Sequence, residues 1–132
     1  MTNVLLAIDE AEDRVNRQLE TLEDLALADG ASVTALYVFS DNPSGASVNQ
    51  LKTARRAEER LEAAGYDVTL DERSGEPGEE ILTHAAENDV DLICLAGRKR
   101  SPTGKALFGS VTQDVILGTD RPVLIAGNDP EE

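Results

Sequence analysis

Short apolar runs that alternate with longer amphipathic ones constrain this chain more than any other feature. The run "NVLLAI" (residues 3–8) is continuous and of strand length, and in the segment that follows Val15, Leu19, Leu22 and Ala26 recur at spacings of four, three and four. That pattern predicts a strand and then a helix, with Glu10, Glu12 and Asp13 favouring the positive end of the helix dipole. "SVTALYVF" (32–39), β-branched and aromatic, reads as a second strand; "DNPSGAS" breaks it, and Val48, Leu51, Ala54, Ala57, Leu61 and Ala64 mark a second helix ending at Gly65.

"YDVTLDER" alternates as a half-exposed edge strand does. Pro77 at a first-turn position, with Glu79 and Glu80 behind it and Ile81, Leu82 and Ala85 on one face, predicts a third helix. "DLICLA" is unbroken apolar, as for a strand covered on both faces, "SVTQDVILG" reads as a helix starting at Ser110, and "PVLIAG" closes the sheet. Five strands alternating with four helices require right-handed crossovers and a three-layer α/β sandwich built on a parallel sheet. Nothing along residues 1–132 reads as a linker or repeat, so a single domain is expected.

Charge narrows the function. A net charge of −14 argues against a general nucleic-acid or anionic-membrane binder, since both need positive surface. Three lysines against nine arginines, with 26 carboxylates spread over nearly every polar stretch, suggest a halophilic surface adapted to concentrated salt. Cys94 is the single cysteine, so a disulfide framework and a zinc quartet are excluded and a reducing, cytoplasmic setting is expected. The apolar stretch at the N-terminus is too short for a signal peptide or a membrane span.

Against this acidic background "AGRKRSPTGKALFGSVTQ" (96–113) stands out, with four of the 12 basic residues (Arg98, Lys99, Arg100, Lys105) and no carboxylate between Asp91 and Asp114. Ligands of open parallel sheets bind at the carboxyl ends of the strands where the strand order reverses, which places Asp9 and Gly97 at the expected crevice. Gly97 permits a sharp turn, and Gly109-Ser110 opens the next helix with free amides, so the stretch reads as a phosphate cradle. It is not a P-loop: six residues rather than four separate Gly97 from Gly104, and Ala106 stands where a hydroxyl would bind magnesium. Nor does "GKALFG" fit the dinucleotide fingerprint.

The chain resembles the universal stress protein family. The resemblance runs over "VLLAID", "GEPGEEILTHAAENDVDLICLAGRKRS", "FGSVTQDVI" and "DRPVLIA", and the last three carry most of the specificity. It implies an adenine-nucleotide alpha hydrolase-like fold with strand order 3-2-1-4-5. The family is often dimeric, and many members bind ATP through G-x-x-G, nine residues, then G-S or G-T. By that pattern Ala96 and Gly97 open the loop, Gly109 and Ser110 close it, Val111 and Thr112 continue the phosphate contact, and Ala7, Asp9 and Val38 take the family's positions at the ends of strands one and two. Arg100 occupies the second glycine's place, and eleven residues rather than twelve separate Gly97 from Gly109, so Arg98 and Arg100 become candidate phosphate ligands.

The expected ligand is therefore ATP or a related adenine nucleotide, with or without a divalent cation such as magnesium, bound by a regulatory module of the stress response. Two alternatives are a slow ATPase, disfavoured because no nucleophile and base pair or two-carboxylate metal site accompanies the loop, and a dimeric interaction protein that binds no nucleotide. Val123, Leu124 and Ile125 would form a sticky edge in a monomer, which predicts a homodimer paired through the last strand. His84 is a lone helical histidine of the kind usually found at the surface or satisfied in a core, and Cys94 reads as an inert small hydrophobe.

Overall fold

The computed structural model describes residues 2–25, 31–40, 47–97 and 109–126. Its elements are β1 (Asn3–Ala7), α1 (Glu12–Leu25), β2 (Ser32–Phe39), α2 (Lys52–Ala63), β3 (Asp67–Ser74), α3 (Pro77–Glu87), β4 (Leu92–Ala96), α4 (Ser110–Gly118) and β5 (Val123–Ala126). The strands form one sheet in the order β3-β2-β1-β4-β5, and every pairing is parallel. This is the three-layer arrangement expected from the alternation of apolar and amphipathic segments.

Side chains on successive strand residues point to opposite faces, so the sheet supports two cores. On one face Val4 and Leu6 of β1, Val33 and Ala35 of β2 and Cys94 of β4 pack against Val15, Leu19 and Leu22 of α1 and Ala54, Ala57 and Leu61 of α2. On the other, Leu5, Leu36, Ile93 and Leu95 pack against Ile81 and Ala85 of α3 and Val115 of α4. The central strands β1 and β4 are covered on both sides, hence their unbroken apolar sequence. β3 is an edge, with its alternation of exposed and half-buried residues.

The second helix is shorter than the periodicity of Val48 to Ala64 predicts. Val48–Gln50 form a separate 3-10 turn, and Leu51 is extended (φ −82°, ψ 131°), so α2 begins at Lys52. Two side chains stabilise that break: Glu72 of β3 accepts the Val48 N–H at 2.7 Å, and Gln50 accepts the Ser47 N–H at 3.0 Å. Leu51 still packs against the first core, so an apolar spacing of three or four survives an interruption of the helix.

His84 lies on the buried side of α3, 2% exposed, with Nε2 3.1 Å from Asp71 Oδ2 on β3. It is a core residue away from the crevice. Cys94 is buried in the middle of the sheet; burial pushes its thiol up to about 12, and a hydrogen bond with Gln18 works more weakly in the other direction. The native thiol therefore stays protonated through the range in which an unfolded cysteine ionises. We expect iodoacetamide at pH 8.5 to leave the native protein unlabelled and to label it fully in urea, as mass spectrometry would show. Because the folded value lies above the unfolded one, Cys94 favours the native state below pH 9 and this contribution is lost as pH rises from about 9 to 12.

A candidate functional site at the strand ends

The β1–β4 register ends at Leu6–Cys94, although the strands run on to Ala7 and Ala96. β1 also pairs with β2, and the helices on its two flanks lie on opposite faces of the sheet. The strands part here, and a cleft of about 500 Å³ opens. Its floor is Ala7, Ile8 and Asp9 with Leu95 and Ala96; one end is formed by Leu36, Tyr37 and Val38 of β2 and by Ser40 just beyond it; Pro77 and Ile81 of α3 form a wall; and Gly109 to Thr112 close the far side.

α4 is set there by close packing on α3. Gly78 lies so near Asp114 that an added Cβ would stand 2.8 Å from the Asp114 Cβ, closer than two such carbons come. Gly109 is the N-cap of α4 and makes no side-chain capping bond, and the first bond inside the helix is Gln113 N–H to Gly109 O at 3.0 Å. The amides of Ser110, Val111 and Thr112 thus precede the helical ladder, at the positive end of its dipole. Thr112 Oγ1 reaches back to Ala96 O at 3.4 Å, a long contact.

Asp9 is held at three points. Thr53 Oγ1, buried on α2, donates to its carbonyl at 2.7 Å; its carboxylate accepts the Ala11 N–H at 2.9 Å through Oδ1 and meets Arg14 Nε at 2.9 Å through Oδ2. The carboxylate therefore shapes the entry to α1 and faces the cleft at once. Beside it Tyr37 stacks edge-on to Phe39, ring centroids 4.6 Å apart, and its hydroxyl is shifted up by burial first and then by Glu10 and Asp9. This side of the cleft is acidic but for Arg14.

The structure brings Ala7, Asp9, Val38, Ala96, Gly109, Ser110, Val111 and Thr112 to one cleft. Gly97 is buried and donates its N–H to Ala126 O at 2.7 Å, extending the β4–β5 ladder rather than lining the cleft. Arg98 and Arg100 lie outside the described residues. Sequence reasoning missed Arg14, whose signal was a cation in the first turn of an otherwise acid-led helix. It also missed Gln18, 1% exposed, whose Nε2 donates to Ala7 O at 2.9 Å and to Cys94 O at 3.3 Å where the strands part. Its signal was a polar residue within the Val15, Leu19, Leu22 face of α1. Among the described residues no group of three or more His, Cys, Asp or Glu is gathered to hold a metal ion, and no helix is long and apolar enough to cross a membrane.

A doubly wound parallel sheet with its cleft at the switch point defines the class as a three-layer α/β protein with its open crevice at the strand ends. The family model for universal stress proteins matches residues 1–127, and the chain belongs to that family. Universal stress protein YxiE of Bacillus subtilis is 36% identical over 75 residues, 57% of this chain; the match spans about half of YxiE (51%). A universal stress protein from Archaeoglobus fulgidus has a TM-score of 0.78 at 28% identity, over 95% of this chain and 98% of that one. A structure of a universal stress protein from Archaeoglobus fulgidus in complex with dAMP shares the fold, with a TM-score of 0.71 at 23% identity over 95% of this chain and 97% of that one.

Proposed function

We propose that this chain binds an adenine nucleotide, ATP in the first instance, in the cleft between the ends of β1 and β4, and works as a regulatory binding module. One observation carries the reading: the amide-bearing start of α4 and an apolar slot formed by Leu36, Val38, Pro77 and Ile81 line the same cleft. The amides suit a phosphate and the slot suits a purine, and a volume of about 500 Å³ lies in the usual range for small-molecule sites. The dAMP complex of the archaeal relative supports the same ligand class.

Asp9 is the one carboxylate among the described lining residues and is already bonded to Ala11 and Arg14, so a divalent cation would enter on the phosphates rather than in a protein cage. The same engagement leaves no free carboxylate base among the described lining residues, which favours binding over turnover.

We further propose a homodimer through β5, an edge of the sheet. The carbonyls of Pro122 and Ala126 are taken by β4, so the intervening Val123 and Ile125 turn their backbone groups to the open side. Native mass spectrometry of gently purified protein tests both proposals, with an expected mass of two chains plus two adenine nucleotides. A nucleotide-free mass that stays unchanged on adding ATP would overturn the binding reading. Ile125→Pro removes an outward N–H that only a partner strand would use, whereas Leu124→Lys charges a side chain that also packs against the first core. Both should sediment as monomers in concentrated KCl, Ile125→Pro with unchanged circular dichroism; a dimer that persists in Ile125→Pro would place the interface elsewhere.

A further inference from the structure

We infer that Arg14 is the specificity residue of the cleft and selects nucleoside di- and triphosphates over monophosphates. The inference rests on the nucleotide reading above. Arg14 lines the cleft from α1, and among the described lining residues it is the one cation. Its position does not suit the helix: it falls in the first turn, after Glu12 and Asp13, where a positive charge opposes the dipole. Asp9 offsets that penalty. By taking Nε at 2.9 Å, the Asp9 carboxylate also fixes the direction of the guanidinium, and that carboxylate is itself fixed by the Ala11 amide, with Thr53 holding the Asp9 carbonyl. Nη1 and Nη2 meet no protein partner among the described residues.

A guanidinium offers donors only, in a planar fork. Adenine presents donors and acceptors in alternation, and ribose hydroxyls are both at once. A phosphate offers acceptors only, on a tetrahedron that accepts two parallel N–H bonds, so it is the ligand group that matches. The α4 amides line another side of the same cleft. With one phosphate on those amides, Arg14 takes a second, and a nucleotide that carries only one leaves one of the two sites unfilled. The acidity of Asp9 and Glu10 near Tyr37 sharpens the requirement, because a phosphate approaching this side is tolerated only in contact with Arg14.

Isothermal titration calorimetry of the full chain with AMP, ADP and ATP, at one salt concentration, tests the assignment. The wild type should bind ADP and ATP more tightly than AMP. Arg14→Gln, which keeps a hydrogen-bonding side chain beside Asp9 but loses the charge, should weaken ADP and ATP by about tenfold and AMP by less than about threefold, as expected for loss of a charge-assisted pair. Arg14→Lys should recover part of the ADP and ATP affinity. Equal losses for all three nucleotides, or no loss, would overturn the assignment while leaving nucleotide binding intact. A wild type that binds none of the three would overturn the nucleotide reading itself, and the role of Arg14 with it.

Discussion

Gly109→Val abolishes adenine-nucleotide binding, measured by calorimetry in concentrated KCl, while the fold is retained. Gly109 has φ −70° and ψ 167°, an extended conformation open to any residue, so valine there introduces no backbone strain. What it changes is room. Gly109 lines the cleft at the first amides of α4, and two methyl groups would stand where a phosphate oxygen must approach Ser110, Val111 and Thr112. Each hydrogen bond to a charged oxygen contributes about 1.5–3 kcal/mol, so losing two weakens binding by at least about a hundredfold. In molar salt the Debye length is about 3 Å, so a distant cation does not compensate. Arg100→Gly, by contrast, should change affinity by less than about tenfold, since an exposed ion pair contributes at most about 1 kcal/mol. Normal binding by Gly109→Val would mean that the phosphate sits elsewhere; abolition by Arg100→Gly alone would mean that the arginine replaces the backbone contact.

The architecture was legible because burial imposes a period on sequence. β4 reads "LICLA" and is covered on both faces, β3 alternates and is an edge, and α3 carries Pro77 at its first position. The interruption at Leu51 was not legible. The side chain that helps stabilise it, Glu72, lies 24 residues downstream of Val48, and no local propensity reports such a contact. The candidate site divides the same way. Asp9 and Gly109-Ser110 could be placed from strand ends and a helix start. Arg14 and Gln18 could not, because an arginine and a glutamine in a helix ordinarily mean solvent, and only the fold turns one into the cleft and buries the other. Gly97 could be placed at the end of β4 from its position after an apolar run, but not the use of its N–H, which continues the ladder with β5.

Gln18 should prove the most sensitive polar residue of the core, through what it does for the backbone rather than through its size. Where β1 and β4 part, its Nε2 supplies Ala7 O with a donor at 2.9 Å and lies 3.3 Å from Cys94 O, in a place shut off from water. Gln18→Leu fills nearly the same volume and removes the donor, so its cost isolates the polar term, about 1–3 kcal/mol for a buried carbonyl left unsatisfied. Gln18→Ala removes the donor and opens a cavity as well, which raises the expected cost to about 3–5 kcal/mol by urea unfolding. Ala7 is also the floor of the cleft, so the two variants should differ from ordinary core mutants in a second way. With its carbonyl unbonded, the end of β1 shifts toward another donor, and Gln18→Leu should lose about tenfold in nucleotide affinity even where it is fully folded, an energy of one hydrogen bond transmitted to the cleft. Leu22→Ala, on the same helix face and as deeply buried, should lose stability of similar size without that loss of affinity. If Gln18→Leu is as stable as the wild type and binds as well, the carbonyls at the parting of the strands find other partners, and the glutamine merely fills space.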